Sequence, residues 1–118
     1  MTQLVNVKVA NIRPKYNNLK EWMNDLNNVY IGRKGIVFID GMRYPKQDSI
    51  WCNPFKISDG YLTREECIEE YELYIREKII KEKLYDELKK LKGKTLGCWC
   101  IPQSCHGEVL IKLINELI

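Results

Sequence analysis

The chain has 118 residues, 45% hydrophobic and 30% charged, with a formal net charge of +3. This length holds one core and predicts a single domain over residues 1–118; no apolar run nears the roughly 18 residues of a membrane span, and a small surplus of interleaved charges makes nucleic acid an unlikely partner, since that needs a focused basic face. The five cysteines are odd in number and mostly clustered, and no basic start followed by an apolar stretch marks a signal peptide, so the reading is a cytoplasmic protein with reduced thiols.

Residues 4–10 alternate apolar and polar at period two, which predicts a strand ended by Arg13-Pro14. Leu19, Trp22, Met23 and Leu26 fall at helical spacing and predict a short amphipathic helix closed by Asn27-Asn28. Val29-Tyr30-Ile31 is a short apolar strand running into Gly32-Arg33. Residues 36–39 predict a strand, Asp40-Gly41 a hairpin turn, and residues 42–44 its partner strand. Thr63 caps a helix with Glu66 three residues on. That helix runs from Arg64 to about Lys81 and turns Cys67, Ile68, Tyr71, Tyr74, Ile75 and Ile79 inward. A second helical pattern, Leu84, Tyr85, Leu88 and Leu91, stops at Lys92-Gly93-Lys94. Residues 95–100 predict a buried strand, 101–104 a loop, and 105–117 a last helix with Val109, Leu110, Leu113 and Leu117 facing in.

This order favours an α/β fold, a small Rossmann-like layered sandwich whose mixed sheet has at least two parallel strands flanked by helices. Ligands of such sheets sit outside the carboxyl ends of the parallel strands. If 29–31 and 95–100 run parallel, Gly32-Arg33 and the cysteine loop emerge at one edge, where the loop from Trp51 to Phe55 can close over them.

The chemistry is concentrated in residues 96–110. Cys98 and Cys100 lie two apart on a strand and therefore share a face, with Trp99 on the other. Cys105 and His106 follow at a helix start, where the macrodipole favours thiolate. Three readings stand side by side. Cys98, Cys100, Cys105 and His106 form a set of three cysteines and one histidine of the kind that holds tetrahedral zinc, although their spacing is not the usual two separated pairs. Alternatively Cys100 and Cys105 as thiols, with His106 as proton carrier, serve an organic ligand. In the plainest reading the cysteines are small buried hydrophobes.

Other residues join this site. Cys105-His106-Gly107 opens a helix whose free N–H groups suit an anion, with Gly107 allowing close approach; the plainer account is an ordinary cap. Arg33, after Gly32, is placed to grip a phosphate or carboxylate, or is a surface arginine in a turn. Asn53 before Pro54 can read a base or ribose hydroxyl, or cap a turn. Trp51 and Phe55 can stack on a base, though aromatics beside a proline are more often core. Cys52 and Cys67 read as structural.

Residues 29–33 (VYIGR), 49–55 (SIWCNPF), the helix opening Arg64-Glu65-Glu66, 91–100 (LKGKTLGCWC) and 102–107 (PQSCHG) occur in an order that resembles the family called domain of unknown function 4326, over roughly residues 28 to 117. The resemblance implies a small protein of bacteria, phages and large viruses. Its motif positions fall on Gly32, Arg33, Trp51, Asn53, Pro54, Phe55, Cys98, Cys100, Pro102, Cys105 and His106. Cys52 departs from the family, which usually carries glycine there. The resemblance identifies a site without naming a reaction.

Two functions follow from these residues. The first is a pocket for a nucleotide or a phosphorylated sugar-like ligand, bound through Gly32, Arg33, Trp51, Asn53 and Gly107, with thiol or acid-base chemistry at Cys100, Cys105 and His106. The second is a non-enzymatic module stapled by zinc through Cys98, Cys100, Cys105 and His106, whose surface binds a protein or nucleic-acid partner.

Overall fold

In the computed structural model, which describes residues 2–56, 63–101 and 103–118, the strand before the cysteine loop is central. Strand β5 (Thr95–Cys98) pairs in parallel with β1 (Gln3–Asn6) on one side and β2 (Asn28–Tyr30) on the other, giving the order β1-β5-β2. Period-two alternation divides the side chains of all three strands between two layers. Leu4, Val29, Ile31, Leu96, Cys98 and Cys100 face one layer, with helices α3 (Arg64–Lys81), α4 (Tyr85–Lys90) and α5 (His106–Leu117). Val5, Val7, Tyr30 and Trp99 face the other, with α1 (Val9–Ile12) and α2 (Leu19–Asn24).

Gly97 stands at the centre of the register, between Val5 and Tyr30. A Cβ there would lie 2.4 Å from Trp22 and 2.5 Å from Val7. Any side chain would push the α2 layer off the sheet, so glycine is required by packing and not by backbone angle. A separate antiparallel pair, β3 (Val37–Ile39) and β4 (Met42–Tyr44), is joined at Asp40 (φ 53°) and Gly41 (φ 79°), the two positive φ values that a tight two-residue hairpin demands.

The α/β class and the parallel pairs are as expected, but parallel and antiparallel pairings fall in separate sheets. Three strands in this order are a parallel α/β sheet, short of the Rossmann-like winding expected. Two boundaries and two inward-facing assignments also differ. The first strand stops at Asn6, because the Asn6 side-chain oxygen accepts from Lys8 N (2.9 Å) and turns the chain into α1. Helix α2 stops at Asn24, and Leu26 is left 90% exposed, since the Asp25 carboxylate accepts from Asn27 N and turns the backbone away. In α5 the inward set is Val109, Leu110, Leu113 and Ile114, while Leu117 is 42% exposed at the helix end. Tyr85, expected inward, is also exposed; its hydroxyl donates to Leu117 O.

Helix α3 begins as its sequence predicts, with the Thr63 hydroxyl accepting from Glu66 N (3.1 Å). It packs on α5 through Cys67, Tyr71, Ile75 and Ile79. Arg76, Glu72, Lys112 and Glu116 form an ion-pair network across the outside of the two helices; exposed pairs of this kind contribute little each. No helix among the described residues is long and apolar enough to cross a membrane.

Candidate functional site

Parallel pairing brings the carboxyl ends of all three strands to one edge, as expected for β2 and β5. Gly32-Arg33 leaves β2 there and Trp99-Cys100 leaves β5. A cleft of about 510 Å³ opens between them, lined among others by Arg33, Asn53, Phe55, Cys98, Cys100, Cys105 and His106. This is the size and position of a small-ligand site in an α/β sheet.

The cysteine wall is built by two local rules. Cys98 and Cys100 share a face of the β5 exit, and Cys105 is the N-cap of α5, with Glu108 accepting from its N–H (3.2 Å) and Gly107 N–H donating to its sulfur (3.4 Å). The Cys98 and Cys105 sulfurs are 2.8 Å apart, and all three sulfurs lie within 4.8 Å of one another. Cys98, Cys100 and Cys105 thus form a group that could hold a metal ion. Cys98 and Cys105 are buried, whereas Cys100 is half-buried and fronts the cleft.

The three thiols share their protons unequally. Interaction with Cys105, and then with Cys98, pulls the Cys100 thiol far below its ordinary value, with Arg64 assisting electrostatically. The Cys105 thiol is pushed up, first by Cys100, then by Cys98 and burial. Cys98 is also raised, first by Cys100. Cys100 is thus the least buried of the three sulfurs and the one driven toward thiolate.

His106 is held firmly. Its Nε2 is 2.7 Å from the Ile31 carbonyl, which can only accept, so Nε2 carries the proton and Nδ1 faces Cys105 Sγ at 3.6 Å. Burial lowers its pKa and keeps the ring neutral, and Tyr71 packs edge-on at 5.0 Å. The imidazole is not among the three-ligand group. Of the expected set of three cysteines and one histidine, the three sulfurs meet, and His106 stands beside Cys105 with Nδ1 toward it and Nε2 tied to the residue after β2.

The remaining expected residues divide. Arg33 and Asn53 line the cleft, but each also shapes it: Arg33 donates from Nε to Asn53 O (2.9 Å) and from Nη2 to Phe55 O (3.4 Å), and the Asn53 side chain accepts from Phe55 N (2.9 Å). Gly32 lines the cleft too, and a Cβ there would lie 2.4 Å from the Tyr30 hydroxyl. That hydroxyl donates to Arg33 O (2.7 Å) and accepts from Trp99 Nε1 (2.8 Å). Trp51 does not stack over the cleft. It is 3% exposed in the core, where its carbonyl accepts from Tyr71 (2.7 Å). Gly107 is a packing glycine, with Leu4 2.5 Å from where its Cβ would stand and its N–H directed at Cys105. Pro102 lies outside the described residues.

Sequence reasoning missed three contributors. Lys56 and Arg64 line the cleft beside Arg33, and among the described residues none of the three forms an ion pair. Their signal was their position, one directly after the Trp51-to-Phe55 loop and the other first in α3. Asn6 is the third: its amide donates to Ile101 O (2.7 Å) and Trp99 O (3.4 Å), clamping the cysteine loop from β1.

Comparison with known proteins agrees with the sequence motifs. The chain is 39% identical over 94 residues to "Uncharacterized protein R718" of Acanthamoeba polyphaga mimivirus, covering 73% of this chain and 65% of that protein. Over 30 residues it is 43% identical to an uncharacterized 12.4 kDa protein of the nrdA-td intergenic region of Enterobacteria phage T4, covering 25% of this chain and 28% of that one. The match thus spans less than two thirds of either relative. No solved structure matches. The model of the Domain of unknown function (DUF4326) matches residues 15–116, nearly the whole chain, and the protein belongs to that family.

Proposed function

We propose that the cleft binds a small anionic ligand of the nucleotide or phosphorylated-sugar type, with Cys100 presented to it. The observation that carries this reading is the charge of the lining: Arg33, Lys56 and Arg64 line it, and no carboxylate is among its described lining residues. Phe55, Ile36 and Ile68 supply apolar wall, the usual partner of a few placed polar groups in a ligand pocket. Thiol chemistry, where the ligand offers an electrophilic centre, belongs to Cys100; His106, with Nδ1 free of a proton, is the acceptor for the Cys105 thiol. A reducing cytoplasm suits a site built on free cysteines.

The test is ligand-induced stabilisation across nucleoside mono- and diphosphates, sugar phosphates and the uncharged nucleosides and sugars. A phosphorylated compound at one hundred times its Kd adds about 2.7 kcal/mol, while the uncharged counterparts add much less. Arg64→Ala should weaken the response about tenfold, the order expected for losing one charge-assisted contact. No stabilisation by any phosphorylated compound, or equal stabilisation by charged and uncharged forms, defeats the proposal.

A further inference from the structure

We propose that Cys98, Cys100 and Cys105 form a three-thiolate seat for a zinc-class divalent ion, whose fourth coordination position opens into the cleft. Zinc bound tetrahedrally at about 2.3 Å per sulfur sets its sulfurs about 3.8 Å apart. The observed separations, 2.8 Å for Cys98 and Cys105 and no more than 4.8 Å for any pair, bracket that edge, so the ion needs only sub-ångström side-chain movement. The surroundings are those of a thiolate ligand. Gly107 N–H points at the Cys105 sulfur, α5 begins at Cys105 with its positive dipole end, and Arg33, Lys56 and Arg64 offset the net negative charge of an ion bound by three thiolates.

The open position follows from what surrounds the group. His106, the nearest borderline ligand, turns Nδ1 to Cys105 Sγ at 3.6 Å, but neither of its ring nitrogens falls within the three-sulfur group. Cys67 lines the cleft but is not in the cluster either. Cys98 and Cys105 are buried, while Cys100 and the cleft lie on the accessible side. Structural zinc sites are closed by four protein ligands, whereas a site with three keeps a place for water or substrate. The seat shares the cleft with the anionic ligand proposed above and does not depend on it.

The experiment uses the reduced, untagged chain stripped of metal and titrated with cobalt(II), a coloured substitute for zinc. One equivalent should bind, with sulfur-to-metal charge-transfer absorption that zinc abolishes by displacement. Added imidazole or 2-mercaptoethanol should then shift the visible bands by entering the fourth position. Cys100→Ser should lower affinity about tenfold or more, whereas Cys52→Ser should leave the spectrum unchanged and His106→Gln should leave the response to imidazole and 2-mercaptoethanol in place. Absence of stoichiometric binding overturns the seat. A spectrum altered by His106→Gln and indifferent to exogenous ligands overturns the open position, because it reports a site closed by the histidine as fourth ligand. The nucleotide panel, run on metal-loaded and metal-stripped protein, fails or succeeds separately from both results.

Discussion

Asn6 links the sheet edge to the cysteine loop, and replacing it isolates that link. In Asn6→Ala the Ile101 carbonyl loses a 2.7 Å donor, the Trp99 carbonyl a weaker one at 3.4 Å, and Lys8 N its 2.9 Å acceptor. The Ile101 bond is short and partly buried, and removing the donor leaves its acceptor poorly solvated; the three losses together cost about 1–3 kcal/mol. For a domain of this size that lowers Tm by roughly 4–12 °C. Asn6→Asp keeps the acceptor for Lys8 and loses only the two donors, so it should retain most of that cost while leaving the turn into α1 intact. Urea denaturation measures the stability. The rate at which Cys100 is modified by an aromatic disulfide reagent measures the loop, and it should rise in both variants as the β5 exit loosens. A midpoint within error of the wild type, with an unchanged modification rate, would refute the clamp.

Other outcomes are as specific. Gly97→Ala places a Cβ 2.4 Å from Trp22 and 2.5 Å from Val7; overpacking of this kind costs about 1–3 kcal/mol or more, and a urea midpoint equal to wild type would mean that the α2 layer yields freely. Tyr71→Phe removes the 2.7 Å bond to the Trp51 carbonyl in the core and should cost about 1–3 kcal/mol with no effect on ligand response, whereas a selective loss of ligand response would return Trp51 to the site. Burial is the main cause that pushes the Tyr30 hydroxyl up to about 12 from 10. A raised acid is most stabilising while both states stay protonated, so this contribution is complete below pH 10 and fades as pH rises through about 12. Stability measured from pH 9 to 11.5 should therefore fall less steeply in Tyr30→Phe than in wild type; parallel curves would contradict that.

Short-range pattern alone determined much of this protein. Asp40-Gly41 specifies the hairpin because its turn needs two positive φ values in succession, Thr63 and the three-and-four spacing after it specify α3, and a Cys-x-Cys strand puts two sulfurs on one face whatever surrounds it. The ordered motifs were also enough to indicate the family. What the sequence left open depends on partners far along the chain. Trp51 is core and not a stacking platform because Tyr71 lies beneath it, twenty residues away. His106 turns Nδ1 toward Cys105 because Ile31, seventy-five residues earlier, accepts its Nε2 proton. Asn6 looked like the polar half of an alternating strand, and only the parallel register with β5 turns its amide into a clamp. Lys56 and Arg64 are ordinary charges in sequence; they become part of a site only where two segments meet over the sheet edge. Periodicity fixes which way a side chain points within its own element, but which residue it meets there is set by how the elements pack.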